Sequence, residues 1–470
     1  MPPSVALLAW LVLLLALLRF DPARVPTTSL ALWLPVTWMF IVASRLPSQW
    51  LGGSIGSAAQ AFEEGNSLDR SFFLILIVLA IAVLFARSFQ WFSFFSQNLA
   101  LMAFLFFALL SVLWSDFPFV SFKRWFRDLG HYLMILVVLT DPVPLEAVRT
   151  FFRRVSFLLL PLSILLIKYY PGIGMQYSVW TGEAMYVGPT MGKNTLGAIC
   201  LVGGLFFFWD TVTRWSSRKE RQSKRIILVN LIFMAMAILL LRKAHSATSM
   251  VCLAIGCLVV AAVHSGWGRR HPAFLKVSIP LAFLTYLLLA FGFEMNGFFA
   301  KTVGRDPTLT DRTYIWKAVL SLHTNPLVGT GYESFWLGPR LTQLWQQSVT
   351  FGINEAHNGW LEMYLNLGLI GTFLISCLLI AGYRNATKKL TTLSKVASLN
   401  LALWTITLFY NMTEAAFKWH IMWVTFLTAA IVVPERSQEG ESPIVPPRKQ
   451  VRSQQTRSTG RDRWLEPVGS

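Results

Sequence analysis

The stretch SFFLILIVLAIAVLFA, residues 71–86, contains no charged residue, and RIILVNLIFMAMAILLL, residues 225–241, holds none after its first position. Each approaches the ~20 residues that a helix needs to cross hydrocarbon. In lipid the backbone must satisfy its own hydrogen bonds, so such runs become helices. Comparable runs recur along the chain, and only 14% of its residues are charged, against roughly a quarter in soluble chains. The expected class is an all-α polytopic membrane protein.

The first run, residues 5–18, has no basic region before it and no small-residue cleavage site after it, so it reads as a retained span rather than a signal peptide. Further spans follow at 28–44, 71–86, 97–114, 129–139, 155–167, 194–212, 225–241, 246–263 and 273–293. After a polar interval come 359–381, 398–415 and 420–433, giving about 12–13 spans by hydropathy. This divides the chain into amino-terminal spans (1–100), a core of spans (101–293), a large external loop (294–357), carboxy-terminal spans (358–433) and a basic, disordered cytoplasmic tail (434–470). No internal repeat is evident. The four cysteines, Cys200, Cys252, Cys257 and Cys377, fall in apolar runs and read as packing residues.

Net charge is +18, but where the charge lies says more. Lys and Arg concentrate at 214–225, 268–276, 383–395 and in the tail, and the positive-inside rule makes these cytoplasmic. The amino terminus, 187–194, 242–246, 294–357 and 414–419 are then external. One external segment, WSDFPFVSFKRWFRD (114–128), breaks the rule with Lys123, Arg124 and Arg127. It reads equally as a surface anchor or as a segment binding an anionic head group. Ionisable residues such as Glu362, Glu414 and His420 sit near span ends, and span centres are empty of charge, which argues against a transporter's ion path. No nucleic-acid partner is read from this charge pattern; the lipid bilayer is the partner it implies.

The external segments gather cations: Lys193 in GPTMGKNTLG, Arg242 and Lys243 in LRKAHSATS, and Lys301, Arg305, Arg312 and Lys317. Each reads equally as a solvated loop residue or as a ligand for a lipid-linked phosphate, which arginine grips through paired hydrogen bonds. His357 stands in NEAHNGWLEMYLNLGLIGT at the mouth of a span. A helix starting there would bring Leu361, Tyr364, Gly368 and Gly371 beneath the imidazole, with the glycines clearing a channel or a close contact. From the residues alone His357 is either a capping histidine or a general base. Glu355 either orients it or serves the helix dipole.

The ordered set of His357, Asn358, Gly368 and Gly371, with LWSDFP (113–118), GKNTLG (192–197), DRTYIW (311–316) and NPLVGTGYESF (325–335), resembles the O-antigen ligase and O-antigen polymerase superfamily. The likeness spans about 101–423. It implies glycan transfer from an undecaprenyl diphosphate carrier to an acceptor hydroxyl at the periplasmic face of the bacterial inner membrane. By that likeness His357 is the base, Arg312 a diphosphate ligand, and Arg242 or Lys243 a second one, although LRKAHSATS departs from the family's serine–arginine pattern. Lys193, Arg305 and Asn358 are further substrate-binding candidates, and Glu355 a catalytic partner of His357.

Diphosphate is a good leaving group that needs cations more than a proton donor, and a base on the far side of the anomeric centre implies inversion. No closely spaced external carboxylates for a metal are read, Glu355 standing alone, so the expectation is a reaction without metal or cofactor. The acceptor is lipid A core for a ligase or a growing polysaccharide for a polymerase, with a chain-length regulator as a candidate partner. WSDFP and KYYPGIG (168–174) look more like members of exopolysaccharide systems. The competing class is a transporter or flippase of lipid-linked oligosaccharide, which needs no base.

Overall fold

The computed structural model describes residues 1–25, 27–52, 65–177, 182–289, 312–346, 352–388, 390 and 395–434. Arg305, Lys301 and the tail from 435 lie outside these. The protein is an all-α polytopic membrane protein, and each apolar run read from the sequence becomes a helix. In chain order the helices of seven or more residues are α1 (Pro3–Phe20), α2 (Trp33–Val42), α3 (Ser67–Ala86), α4 (Trp91–Gln97) and α5 (Leu99–Leu110). There follow α6 (Pro118–Leu139), α7 (Pro144–Tyr169), α8 (Lys193–Arg214), α9 (Arg221–Ala244), α10 (Ala247–His264) and α11 (Pro272–Leu287). The last five are α12 (Arg312–Ser321), α13 (Gly338–Trp345), α14 (Gly359–Lys388), α15 (Lys395–Tyr410) and α16 (Ile421–Ala430). Among the described residues the only sheet is a two-stranded hairpin, β1 (Met175–Tyr177) against β2 (Ala184–Tyr186), with Gln176 opposite Met185.

Among the described residues seven helices are long and apolar enough to span a membrane, and α4 with the segment from Leu99 to Trp114 makes a further apolar pair bent by 94°. Residues 30–42, α11 and α16 are shorter apolar helices. Apolar burial does not drive helices together in lipid; close packing and polar links do. Gly130 on α6 lets Trp38 of α2 lie against its backbone, for a Cβ there would fall 2.0 Å from the indole. Gly197 on α8 likewise admits Ser246 and Ser249 at the start of α10.

Cross-links at helix ends fix how the spans alternate. At one face Tyr170 after α7 donates to the Pro3 carbonyl at 3.0 Å, and Thr248 of α10 meets Thr413 after α15 at 2.7 Å. At the other, Arg87 after α3 pairs with Asp141 after α6 at 3.1 Å, and Trp209 of α8 donates to the Lys395 carbonyl at 2.9 Å. Tyr383 of α14 donates to the Lys276 carbonyl of α11 on that second face. The basic turns at 214–225, 268–276 and 383–395 thus share one face, and His357 lies at the other.

The segment 114–128 differs from the surface strip expected of it. From Pro118 it is the first half of α6, turned inward. Arg127 pairs with Asp128 at 2.8 Å and lies over the Trp419 ring at 4.1 Å, while Arg124 donates to the Glu333 carbonyl at 2.5 Å. Phe119, Phe122 and Phe126 take the exposed side. Of the three charges that broke the topology rule, Arg127 is ion-paired and Arg124 is hydrogen-bonded within the protein, while Lys123 lies over the Phe119 ring at 4.9 Å.

Candidate active site

The site begins with a break in α14. Gly368 has φ 64° and ψ −163°, a backbone state reserved for glycine. The helix's lost hydrogen bonds are supplied by the loop before it: Leu369 N–H donates to the Pro326 carbonyl at 2.9 Å and Ile370 N–H to that of Leu327 at 3.1 Å. In return Thr330 and Gly331 donate to the carbonyls of Leu365 and Asn366. A Cβ on Gly368 would stand 2.3 Å from the Leu327 backbone, so glycine is required twice over, by conformation and by space. NPLVGTGYESF and the glycines of the histidine motif are therefore two halves of one junction.

Helix α14 starts at Gly359, so His357 lies before it, in the left-handed region at φ 47°. The expected stacking of Leu361, Tyr364, Gly368 and Gly371 beneath the imidazole does not occur, because the helical rotation does not extend back to residue 357. Asn358 is spent on the helix end: its Oδ1 accepts from Trp360 N–H at 3.0 Å and Leu361 N–H at 3.1 Å, and the residue is 8% exposed. Its Oδ1 thus caps α14. Gly359 N–H donates to the Asn411 carbonyl at 2.8 Å, which ties this turn to the end of α15.

That tie brings in the segment between α15 and α16. Glu414 Oε2 lies 3.4 Å from His357 Nδ1 and Glu355 Oε1 lies 3.0 Å from the same nitrogen. Arg312, at the start of α12, reaches Glu414 Oε1 at 2.8 Å, and Asn194 of α8 donates to that oxygen at 2.9 Å. Lys418 bridges Glu355 at 3.3 Å and Glu362 at 3.4 Å. Glu362, 3% exposed, also accepts from Trp336 Nε1 at 2.7 Å and Ala356 N–H at 3.0 Å. Three carboxylates thus meet two fixed cations and an imidazole.

Charge balance sets the protonation. Burial lowers the pKa of His357, but Glu355 and Glu414 outweigh it and raise the ring to about 10. Burial would raise the Glu355 carboxyl, yet Lys418 and His357 hold it far below the usual range. Lys418 is raised by Glu362 and Glu355 against its own burial. His420, two residues beyond Lys418, is pushed down by burial to about 4 and caps α16 by accepting from Met422 N–H. The cluster thus biases His357 towards its charged form and His420 towards its neutral form.

Among the described residues Glu355, His357 and Glu414 are the group nearest to a chelating set, with ligand atoms within 4.8 Å of one another. Glu355 does not stand alone, as the sequence had suggested. An incoming cation would have to compete with Arg312 and Lys418 for the same carboxylates.

Of the sequence candidates, the structure brings together His357, Glu355 and Arg312. Lys193 begins α8, one residue before Asn194. Arg242 and Lys243 end α9; Arg242 lines a largely apolar groove with Leu241 and Met250, and Lys243 lies over the Tyr186 ring at 4.9 Å. Arg305 is outside the described residues. Sequence reasoning missed Glu414, Lys418, Glu362 and Asn194 as site residues. The signal was there in TEAAFKWH (413–420), where an acid, a lysine and a histidine crowd a short turn between two spans.

Fold and site together define a polytopic helical membrane protein with a carboxylate-clamped histidine at one face of its bundle. The O-Antigen ligase family matches residues 229–376, a stretch that contains α12, His357 and the break at Gly368 in α14. The exopolysaccharide production protein ExoQ of Rhizobium meliloti (strain 1021) is 25% identical over 318 residues, covering 63% of this chain and 67% of that protein. Both likenesses support a relation to the O-antigen ligase-related superfamily.

Proposed function

We propose that this protein is a membrane glycosyltransferase that moves a glycan from an undecaprenyl diphosphate carrier to an acceptor hydroxyl at the periplasmic face of the inner membrane. The observation that carries the reading is the clamp on His357: with Nδ1 held by Glu355 and Glu414, Nε2 is the ring nitrogen left to meet a substrate. In the proposed step Nε2 of the neutral ring takes the acceptor hydroxyl proton as oxygen attacks the anomeric carbon, and the diphosphate leaves from the opposite side. The two carboxylates stabilise the imidazolium so formed, as a base's supporting partner should.

Arg312 and Lys418 supply the cationic surroundings that a departing diphosphate needs. Lys193, Arg242, Lys243 and Arg305 are proposed as outer contacts to donor phosphate or glycan. The likeness to an exopolysaccharide production protein favours a growing, carrier-linked polysaccharide as acceptor over lipid A core, while the Trp and Gln of helix α13 suit sugar contacts with either.

The test uses purified full-length protein in lipid nanodiscs with a carrier-linked oligosaccharide and no lipid A core. Longer carrier-linked products are expected, and His357→Ala should reduce them by roughly 10²–10⁴-fold, the usual contribution of a general base. Product that forms only when lipid A core is supplied would make the protein a ligase. Undiminished transfer by the alanine variant would remove His357 from the chemistry.

A further inference from the structure

The face opposite His357 carries a cleft between the end of α1 and the first half of α7, lined by Leu17, Asp21, Arg24, Thr28, Arg153 and Arg154 among others. The room inside it is small, about 20 Å³, enough to admit head-group oxygens at its mouth rather than a whole head group. Arg153 is 2% exposed; its Nη2 meets Asp210 at 2.5 Å and its Nε lies 3.7 Å from Asp21. Its Nη1 is buried with no hydrogen-bond partner. Arg154 lies over the Trp33 ring at 4.6 Å, and its Nη1 is likewise buried and unpartnered. Arg24 stands exposed at the mouth.

The protein's own acids do not balance these cations. Asp21 is the one acid lining the cleft, and Asp210 is shared with Arg149 and Arg214 at 3.1 and 2.9 Å. A buried guanidinium N–H without an acceptor is costly to maintain, so the arrangement calls for an anionic oxygen from outside the chain. Paired arginines favour the tetrahedral oxygens of a phosphate.

The surroundings indicate where that phosphate comes from. Ala6 is the sole buried residue of α1, while Leu7, Leu8, Leu11, Val12 and Leu15 are exposed. An apolar track therefore runs along α1 and ends at the cleft. Basic pockets between spans on the positively charged side of a membrane protein suit anionic head groups. We infer that this cleft binds the phosphodiester of an anionic phospholipid through Arg24, Arg153 and Arg154, with the acyl chains laid along α1.

The experiment is native mass spectrometry of the full chain in mixed micelles containing phosphatidylglycerol, phosphatidylcholine or inorganic phosphate. Wild type should retain phosphatidylglycerol in preference to phosphatidylcholine. Arg24→Gln and Arg154→Gln should each weaken retention about fivefold, and the double variant roughly 25-fold, as expected for about 1 kcal/mol per basic residue at a membrane surface. Arg24 is an exposed loop residue, so its variant keeps the assay readable if substitution at Arg154 impairs folding. Equal retention by wild type and Arg24→Gln, or equal retention of the two lipids, would overturn the inference. Displacement of the lipid by millimolar inorganic phosphate would also overturn it, making the cleft a site for free phosphate.

Discussion

Replacing Glu355 by Gln removes one of the two charges on His357 Nδ1 and leaves a side chain of nearly the same shape. Glu414 remains at 3.4 Å, and Lys418 keeps Glu362 at 3.4 Å, so neither cation is stranded. A carboxylate within contact distance raises a histidine by roughly 1–3 pH units. The ring should fall from about 10 to somewhere between about 7 and 9. If the neutral ring is the base, the wild-type rate climbs about tenfold per pH unit until the ring's pKa is reached. In Glu355→Gln the same limb should lie about 1–3 units to the acid side. Its plateau should be lower, because a less basic ring accepts a proton less readily. The assay is initial-rate elongation of a carrier-linked oligosaccharide in nanodiscs from pH 5.5 to 10.5, with kcat/KM taken at each point. A limb that does not move would show that the titrating group is not His357. A rate that falls with rising pH, and whose fall shifts with the substitution, would show that the reaction uses the protonated ring, and the base role would be lost.

Arg312→Lys retains a charge but not the planar fork that holds Glu414, so transfer and donor binding should both fall, and Arg312→Ala should lower them further; equal donor affinity across the three proteins would take Arg312 out of the site. Gly368→Ala forces a side chain into a glycine-only conformation and against the Leu327 backbone, a loss of about 1–3 kcal/mol from strain before the clash is counted; an unchanged melting temperature in detergent would contradict the junction described for α14. His357 has a raised pKa in the folded protein, so its contribution to stability is complete below its unfolded value of about 6.5 and vanishes as pH climbs through about 10. Wild-type melting temperatures should therefore drop across pH 7–10 more than those of His357→Gln, and parallel curves would refute the clamp. For topology, in a background lacking the native cysteines, an impermeant thiol reagent on intact cells should label His323→Cys and spare Ser216→Cys, both exposed positions; the reverse pattern would invert the bundle.

Helices were legible because hydrocarbon imposes a length and a composition that local sequence must meet. His357, Glu355 and Arg312 were legible through motif order and through the two-residue spacing that brings Glu355 back to the ring. Glu414 and Lys418 were not, because their relation to His357 depends on how α15 packs against the start of α14, a contact between residues 57 and more positions apart. The capping role of Asn358 was hidden too, because it depends on α14 starting one residue later than the histidine motif suggests. Arg124 and Arg127 misled for a related reason. A charge count treats every arginine as solvated, and it cannot register the Asp128 and Glu333 groups that fold onto these two.

The exchanged hydrogen bonds at Gly368 bear on how the protein is made. When α14 enters lipid alone, the N–H groups of Leu369 and Ile370 have the carbonyls of Leu365 and Asn366 one turn back to bond, and a break at Gly368 would cost several kcal/mol for each group left unmet. Their final acceptors, the carbonyls of Pro326 and Leu327, have already left the ribosome by then, since the loop precedes the helix in the chain. The break at Gly368 is thus a product of docking rather than of insertion: α14 can enter as an unbroken span and opens only as the 325–331 loop exchanges its bonds with it.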